Sequence, residues 1–164
     1  MSANLSSLAR LPDGPEGVRE TLRLMSSIIR AGKKDTLIRE KALSLIRYLQ
    51  QKDHVNETAV IFEFVRDQIR YVRDIRGVET LHTADMVMDY GQGDCDDKSI
   101  LLASLLESIG IPTRLVAVGF SNRPLSHVFV EANLSGKWIA LETTEPQPMG
   151  WSAPGITSTM ILYN

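Results

Sequence analysis

A chain of 164 residues with a net charge of −2 and 43% hydrophobic residues has the material for one domain with a substantial core. The near-neutral balance lacks the concentrated basic patch of a nucleic-acid binder, and no apolar run approaches the roughly 18 residues of a membrane helix. One cysteine excludes an internal disulfide, and Met1–Leu11 lacks the charged start and apolar stretch of a signal peptide, so the expectation is a soluble protein, cytoplasmic on synthesis.

Residues 1–16 read as an N-terminal arm, detached by the turn-forming run Pro12-Asp13-Gly14-Pro15-Glu16-Gly17. From Val18 the spacing becomes helical: Val18, Leu22, Met25, Ile28 and Ile29 share a face, and Gly32 supplies a stop. A second helix starts near Asp35, with Leu37, Ile38, Ala42, Leu45, Ile46 and Leu49 as its stripe. Gln50–His54 reads as a polar connection, and Asn56 is placed as the N-cap of a third helix carrying Val60, Ile61, Phe64, Val65 and Ile69. Amphipathicity of this kind encodes burial, so residues 17–82 read as a helical scaffold. Arg70–Gly77 is charged and reads as a loop; no Gly-rich turn accompanies its arginines to make a phosphate site. Thr83 is placed to cap a short helix, Ala84–Tyr90, and Gly91 to end it in the left-handed conformation.

The next stretch, Gly91-Gln92-Gly93-Asp94-Cys95-Asp96-Asp97-Lys98-Ser99, is the one around which the rest is organised. It leads into the apolar helical run Ile100–Leu106, so Cys95 falls in the first turn of a buried helix. A thiol there meets unpaired N–H groups and the positive end of the helix dipole, a setting that favours thiolate near neutral pH. Asp94, Asp96 and Asp97 oppose this with negative charge, and either Asp94 or Asp97 is assigned to cap the helix. Gly110 and Pro112 end the helix, after which the periodicity switches to strands at Thr113–Phe120, His127–Leu134 and Lys137–Glu142. Pro146–Gly155 is a proline-containing extension with Trp151 folded back, and Thr157–Tyr163 adds an edge strand. Helices followed by an antiparallel meander make the fold class α+β, a single domain over residues 1–164.

Ser135-Gly136 reads as a two-residue hairpin turn, and this sets a register. Leu134 then faces Lys137, Phe129 lies opposite Glu142, and His127 lies opposite Thr144. His127 and Phe129 share a face, so Glu142 sits diagonally from His127 at roughly 7–8 Å between backbones. The parts of an activated thiol are therefore present: Cys95 as nucleophile, His127 as proton acceptor and donor, Glu142 as the carboxylate that orients the imidazole. The backbone N–H of Cys95 is a candidate oxyanion donor. Blander readings compete, because a lone helical cysteine is often a small core residue and a strand histidine often structural. His54 and His82 sit in polar connections and read as solvated. No metal site is expected: zinc-ligand spacing is absent, and a calcium loop counted from Asp94 would need ligands, glycine and glutamate where Lys98, Ser99 and Leu105 stand. No cofactor is expected either.

Four landmarks in order resemble the transglutaminase-like superfamily: Gly93-Asp94-Cys95-Asp96-Asp97-Lys98, Gly110-Ile111-Pro112-Thr113-Arg114, Ser126-His127-Val128-Phe129-Val130-Glu131, and Gly136-Lys137-Trp138 through Thr144. Across about residues 83–145 the resemblance implies a papain-like core, with the cysteine at a helix start and His and Asp on adjacent strands. It implies Cys95 and His127 as nucleophile and base, with Glu142 standing where the family usually has Asp. With Ile69-Arg70-Tyr71-Val72-Arg73-Asp74 ahead of the motif, the chain is similar to small transglutaminase-like proteins of bacteria and tailed bacteriophages. The expected activity is a cysteine peptidase or amidase acting on a protein or peptide through a thioester. Acyl transfer from protein glutamine to an amine is the alternative. A third reading, from another class, is a virion-associated assembly protein whose N-terminal helices dock a partner.

Overall fold

In a computed structural model describing residues 14–73 and 80–164, the chain begins α1 (Gly14–Gly32), α2 (Thr36–Ile46), α3 (His54–Gln68), β1 (Arg70–Tyr71). It continues α4 (Ala84–Tyr90), β2 (Gln92–Gly93), α5 (Cys95–Ser108), then β3 (Thr113–Phe120), β4 (His127–Leu134), β5 (Lys137–Leu141) and β6 (Ile156–Tyr163). The last four strands form one antiparallel sheet in the order β5-β4-β3-β6, and β1 pairs with β2 in parallel. The α+β expectation holds.

Helix α5 is the centre of the packing. Of its 14 residues, 11 are buried, because the apolar run Ile100–Leu106 has a neighbour on every side. One core joins Leu22, Met25 and Ile29 of α1, Ile38 and Ala42 of α2, and Ile61, Phe62 and Val65 of α3 to α5 and to Leu115, Val130 and Leu141 of the sheet. The buried faces of these helices are thus packed on the chain's own core, while Leu37, Leu43 and Val55 stay exposed on α2 and α3. On the opposite sheet face Val116, Val118, Phe129 and Ala140 make a smaller cluster. There Arg114 of β3 bonds Glu131 of β4 through Nε at 2.6 Å and stacks over Trp138 of β5 and Tyr163 of β6, a row that crosses all four strands.

The hairpin register is as counted from the turn: Leu134 pairs with Lys137, Asn133 with Trp138 and Val130 with Leu141. Ser135 and Gly136 both have positive φ, +54° and +86°, as a type I′ turn requires.

Several local expectations are corrected. Helix α1 starts at Gly14 rather than Val18, since Pro15 near a helix start forfeits only a donor that has no partner there. The cap of α3 is Asp53, not Asn56; its carboxylate accepts from the Asn56 N–H and the Asn56 side-chain amide, and His54 lies inside the helix. Thr83 occupies the N-cap position of α4 without a side-chain cap bond, whereas Gly91 is left-handed as expected, φ +63°. Leu37, assigned to a buried stripe, is 59% exposed. Arg70 and Tyr71 form a strand rather than a loop. Residues 1–13 of the arm and 74–79 of the charged segment lie outside the described residues.

Candidate active site

Asp94 caps α5, its carboxylate accepting the Asp97 N–H at 3.0 Å, and Cys95 is the first helical residue. Gly93 is required immediately before: a Cβ there would stand 2.5 Å from the Cβ of Asp97. Asp97 does not cap the helix. Its carboxylate is buried and takes two bonds from His82, the backbone N–H at 3.1 Å and Nδ1 at 3.0 Å. His82 is thus a tied, mostly covered residue, packed edge-on against Tyr90, and not the solvated side chain its polar surroundings suggested. Burial raises the Asp97 carboxyl, against the pull of the His82 bonds.

His127 opens β4, and the Nε2 of its ring lies 2.6 Å from Glu142 Oε2. The other carboxylate oxygen accepts from the Thr144 N–H at 2.9 Å and the Thr144 hydroxyl at 2.7 Å. Both oxygens of Glu142 are therefore held, and the side chain, longer than Asp, still reaches the ring. Burial raises the Glu142 carboxyl, but the His127 hydrogen bond and charge and the Thr144 bonds outweigh it and hold the group below its usual range. A proton on Nε2, donated to that carboxylate, leaves the Nδ1 lone pair open.

The backbone N–H of Val128, next to His127, bonds to the Cys95 sulfur, which brings the start of α5 against the start of β4. Cys95, His127 and Glu142 all line one open cleft of about 890 Å³. The thiol itself is pushed up, first by burial, then by the carboxylates of Asp96 and Asp94; the Val128 N–H pulls weakly the other way. Burial and the two adjacent carboxylates thus oppose the thiolate that the helix start was expected to favour. The S–H donates to Asp96 Oδ1 at 3.6 Å.

The rest of the cleft wall comes from residues that sequence patterning did not single out for it. Tyr71 and Arg73 follow from β1, Val18 and Thr21 from α1, Phe120 and Arg123 from the β3–β4 region, and Trp151 from the extension. Trp151 is folded back as expected. The two-residue β1–β2 pair carries no readable periodicity, so Tyr71 could not be placed beside Cys95. Lys98 was also passed over, although a lysine three residues after Cys95 in a helix buried all round was a visible signal.

A family model of the transglutaminase-like superfamily matches residues 43–143, beginning within α2 and so well ahead of the four landmarks. No curated protein matches the chain. Among solved structures, one described as a "putative cysteine protease from Cytophaga hutchinsonii" aligns over 77% of this chain and 46% of its own, at 17% identity and a TM-score of 0.56. A "putative protease from Parabacteroides distasonis" aligns over 87% and 32%, at 16% identity and 0.63. Calcium-bound LapG of Legionella pneumophila aligns over 81% and 80%, at 17% identity and 0.58. The chain thus spans less than half the length of the first two structures, and at these identities the likeness is one of fold. In this chain, no group of three or more His, Cys, Asp or Glu among the described residues is arranged to hold a metal ion. The family match covers more than half of the sequence, and its fold agrees: the chain belongs to the transglutaminase-like superfamily.

Proposed function

We propose that the protein is a cysteine hydrolase that cleaves amide bonds of a protein or peptide through a Cys95 thioester. The observation that carries this reading is the 2.6 Å bond between His127 Nε2 and Glu142, made on the strand whose Val128 N–H contacts the Cys95 sulfur. With the thiol neutral at rest, His127 Nδ1 takes its proton as the sulfur attacks the carbonyl carbon. The tetrahedral oxyanion is met by the Cys95 N–H at the positive end of α5. Collapse breaks the C–N bond, and the imidazolium, supported by Glu142, returns its proton to the departing amine. Water, deprotonated by the same imidazole, then opens the thioester to a free acid and the thiol. Two neighbours described as proteases support a protein or peptide substrate.

The test is a fluorogenic peptide library, with a dansylated primary amine present in parallel. Cleavage should fall at least about 100-fold in Cys95→Ala and His127→Ala. Amine incorporation in place of cleavage would move the reading to acyl transfer. Equal activity in wild type and Cys95→Ala, or none in either, would sink it.

A further inference from the structure

Lys98 lies one turn beyond Cys95 on α5 and is 1% exposed. An ammonium that deep is costly unless its protons are used. Nζ donates to the carbonyl of Ile69 at 2.6 Å and to that of Arg66 at 3.2 Å. These are the cap and the last turn of α3, where carbonyls lack intrahelical donors and the dipole favours a cation. Burial holds the Lys98 ammonium down to about 8, opposed by the carboxylates of Glu142, just beyond β5, and Asp67 in α3.

The bonds that follow Ile69 close a circuit. The Arg70 N–H donates to the Gly91 carbonyl at 2.9 Å and the Val72 N–H to the Gly93 carbonyl at 2.9 Å, pairing β1 with β2. β2 runs directly into Asp94 and Cys95, and one helical turn returns to Lys98. Tyr71 lies on this circuit with its side chain in the cleft wall, beside Arg73. Its phenol is raised mainly by burial, and the Arg73 hydrogen bond opposes that. The Asp94 carboxylate raises it further, and the ring lines the same cleft as the Cys95 thiol.

We propose that Lys98 is a positioning residue, whose buried bonds to the end of α3 hold β1, and with it Tyr71 and Arg73, in place beside Cys95 as the wall that meets the substrate. The substrate-facing role rests on the hydrolase reading; the clamp itself does not. A lysine that merely filled space would be replaceable by methionine, which has nearly the same stem and no donors.

Amide hydrogen exchange on the whole chain tests this. In Lys98→Met the Arg70 and Val72 amides should exchange about tenfold faster, the loss expected for a charge-assisted bond, with less than about twofold change in the middle of α5. Lys98→Arg, which keeps charge and donors, should recover most of the protection. Unchanged exchange at Arg70 and Val72, or equal acceleration along β1 and α5, overturns the proposal. Should Lys98→Met fail to fold, the wild type decides: the Lys98 Cε resonance should titrate near pH 8, and base-corrected exchange at Arg70 and Val72 should rise through the same midpoint. Amides indifferent to that titration overturn it too. Neither measurement uses turnover, so responsive β1 amides with an inert Cys95 would sink the hydrolase reading and leave the clamp standing.

Discussion

Glu142 has three donors on its two carboxylate oxygens and is 3% exposed, so its charge is needed in the fold as well as in the site. Glu142→Gln should lose about 1–2 kcal/mol at pH 7, the scale of hydrogen bonds to a charged group. The pH dependence has a definite sign. The folded carboxyl is held below its unfolded value, so its stabilisation is complete above the unfolded pKa and is lost as pH falls through the folded one. The difference in Tm between wild type and Glu142→Gln should therefore shrink on acidification below about pH 4.3. A gap that stays constant to pH 3 would contradict the assignment. Asp97, raised by burial, has the opposite sign and gains as acid is added, which is why the single variant and not the whole-protein curve is the readout.

Among the elements, the β4–β5 hairpin does most to place the imidazole. Its register was legible in the sequence because a two-residue turn leaves one pairing, and period-two alternation then puts His127 and Glu142 on a common face. The turn itself is not optimal: Ser135 sits at φ +54°, where asparagine or glycine is better tolerated. Ser135→Asn should raise stability by about 0.5 kcal/mol in denaturant unfolding with activity unchanged. A destabilised variant would mean that the turn differs from type I′. The start of α2 near Asp35 was also readable, whereas the cap of α5 was narrowed only to Asp94 or Asp97, and the structure assigns it to Asp94. The cap of α3 was misplaced by three residues because Asp53 and Asn56 are both good caps and local propensity cannot rank them.

Across the whole molecule, α5 belongs to both the helical scaffold and the sheet, so loosening it should loosen both. Leu102, fully buried in that helix, should cost about 2–5 kcal/mol as Leu102→Ala. Far-UV circular dichroism of the helices and fluorescence of Trp138 and Trp151 should shift together in one transition. Two separated transitions would divide the chain that the sequence reads as one domain. Composition, helical stripes and the hairpin count were enough to expect an α+β fold and to join His127 to Glu142, because each is decided by neighbours within one turn or one hairpin. The bond of Lys98 to Ile69, the capture of His82 by Asp97, the arrival of Tyr71 at the cleft and the burial that pushes the Cys95 thiol up were decided only by tertiary structure. Periodicity records that a side chain is buried, whereas its partner and its charge depend on which distant segment covers it.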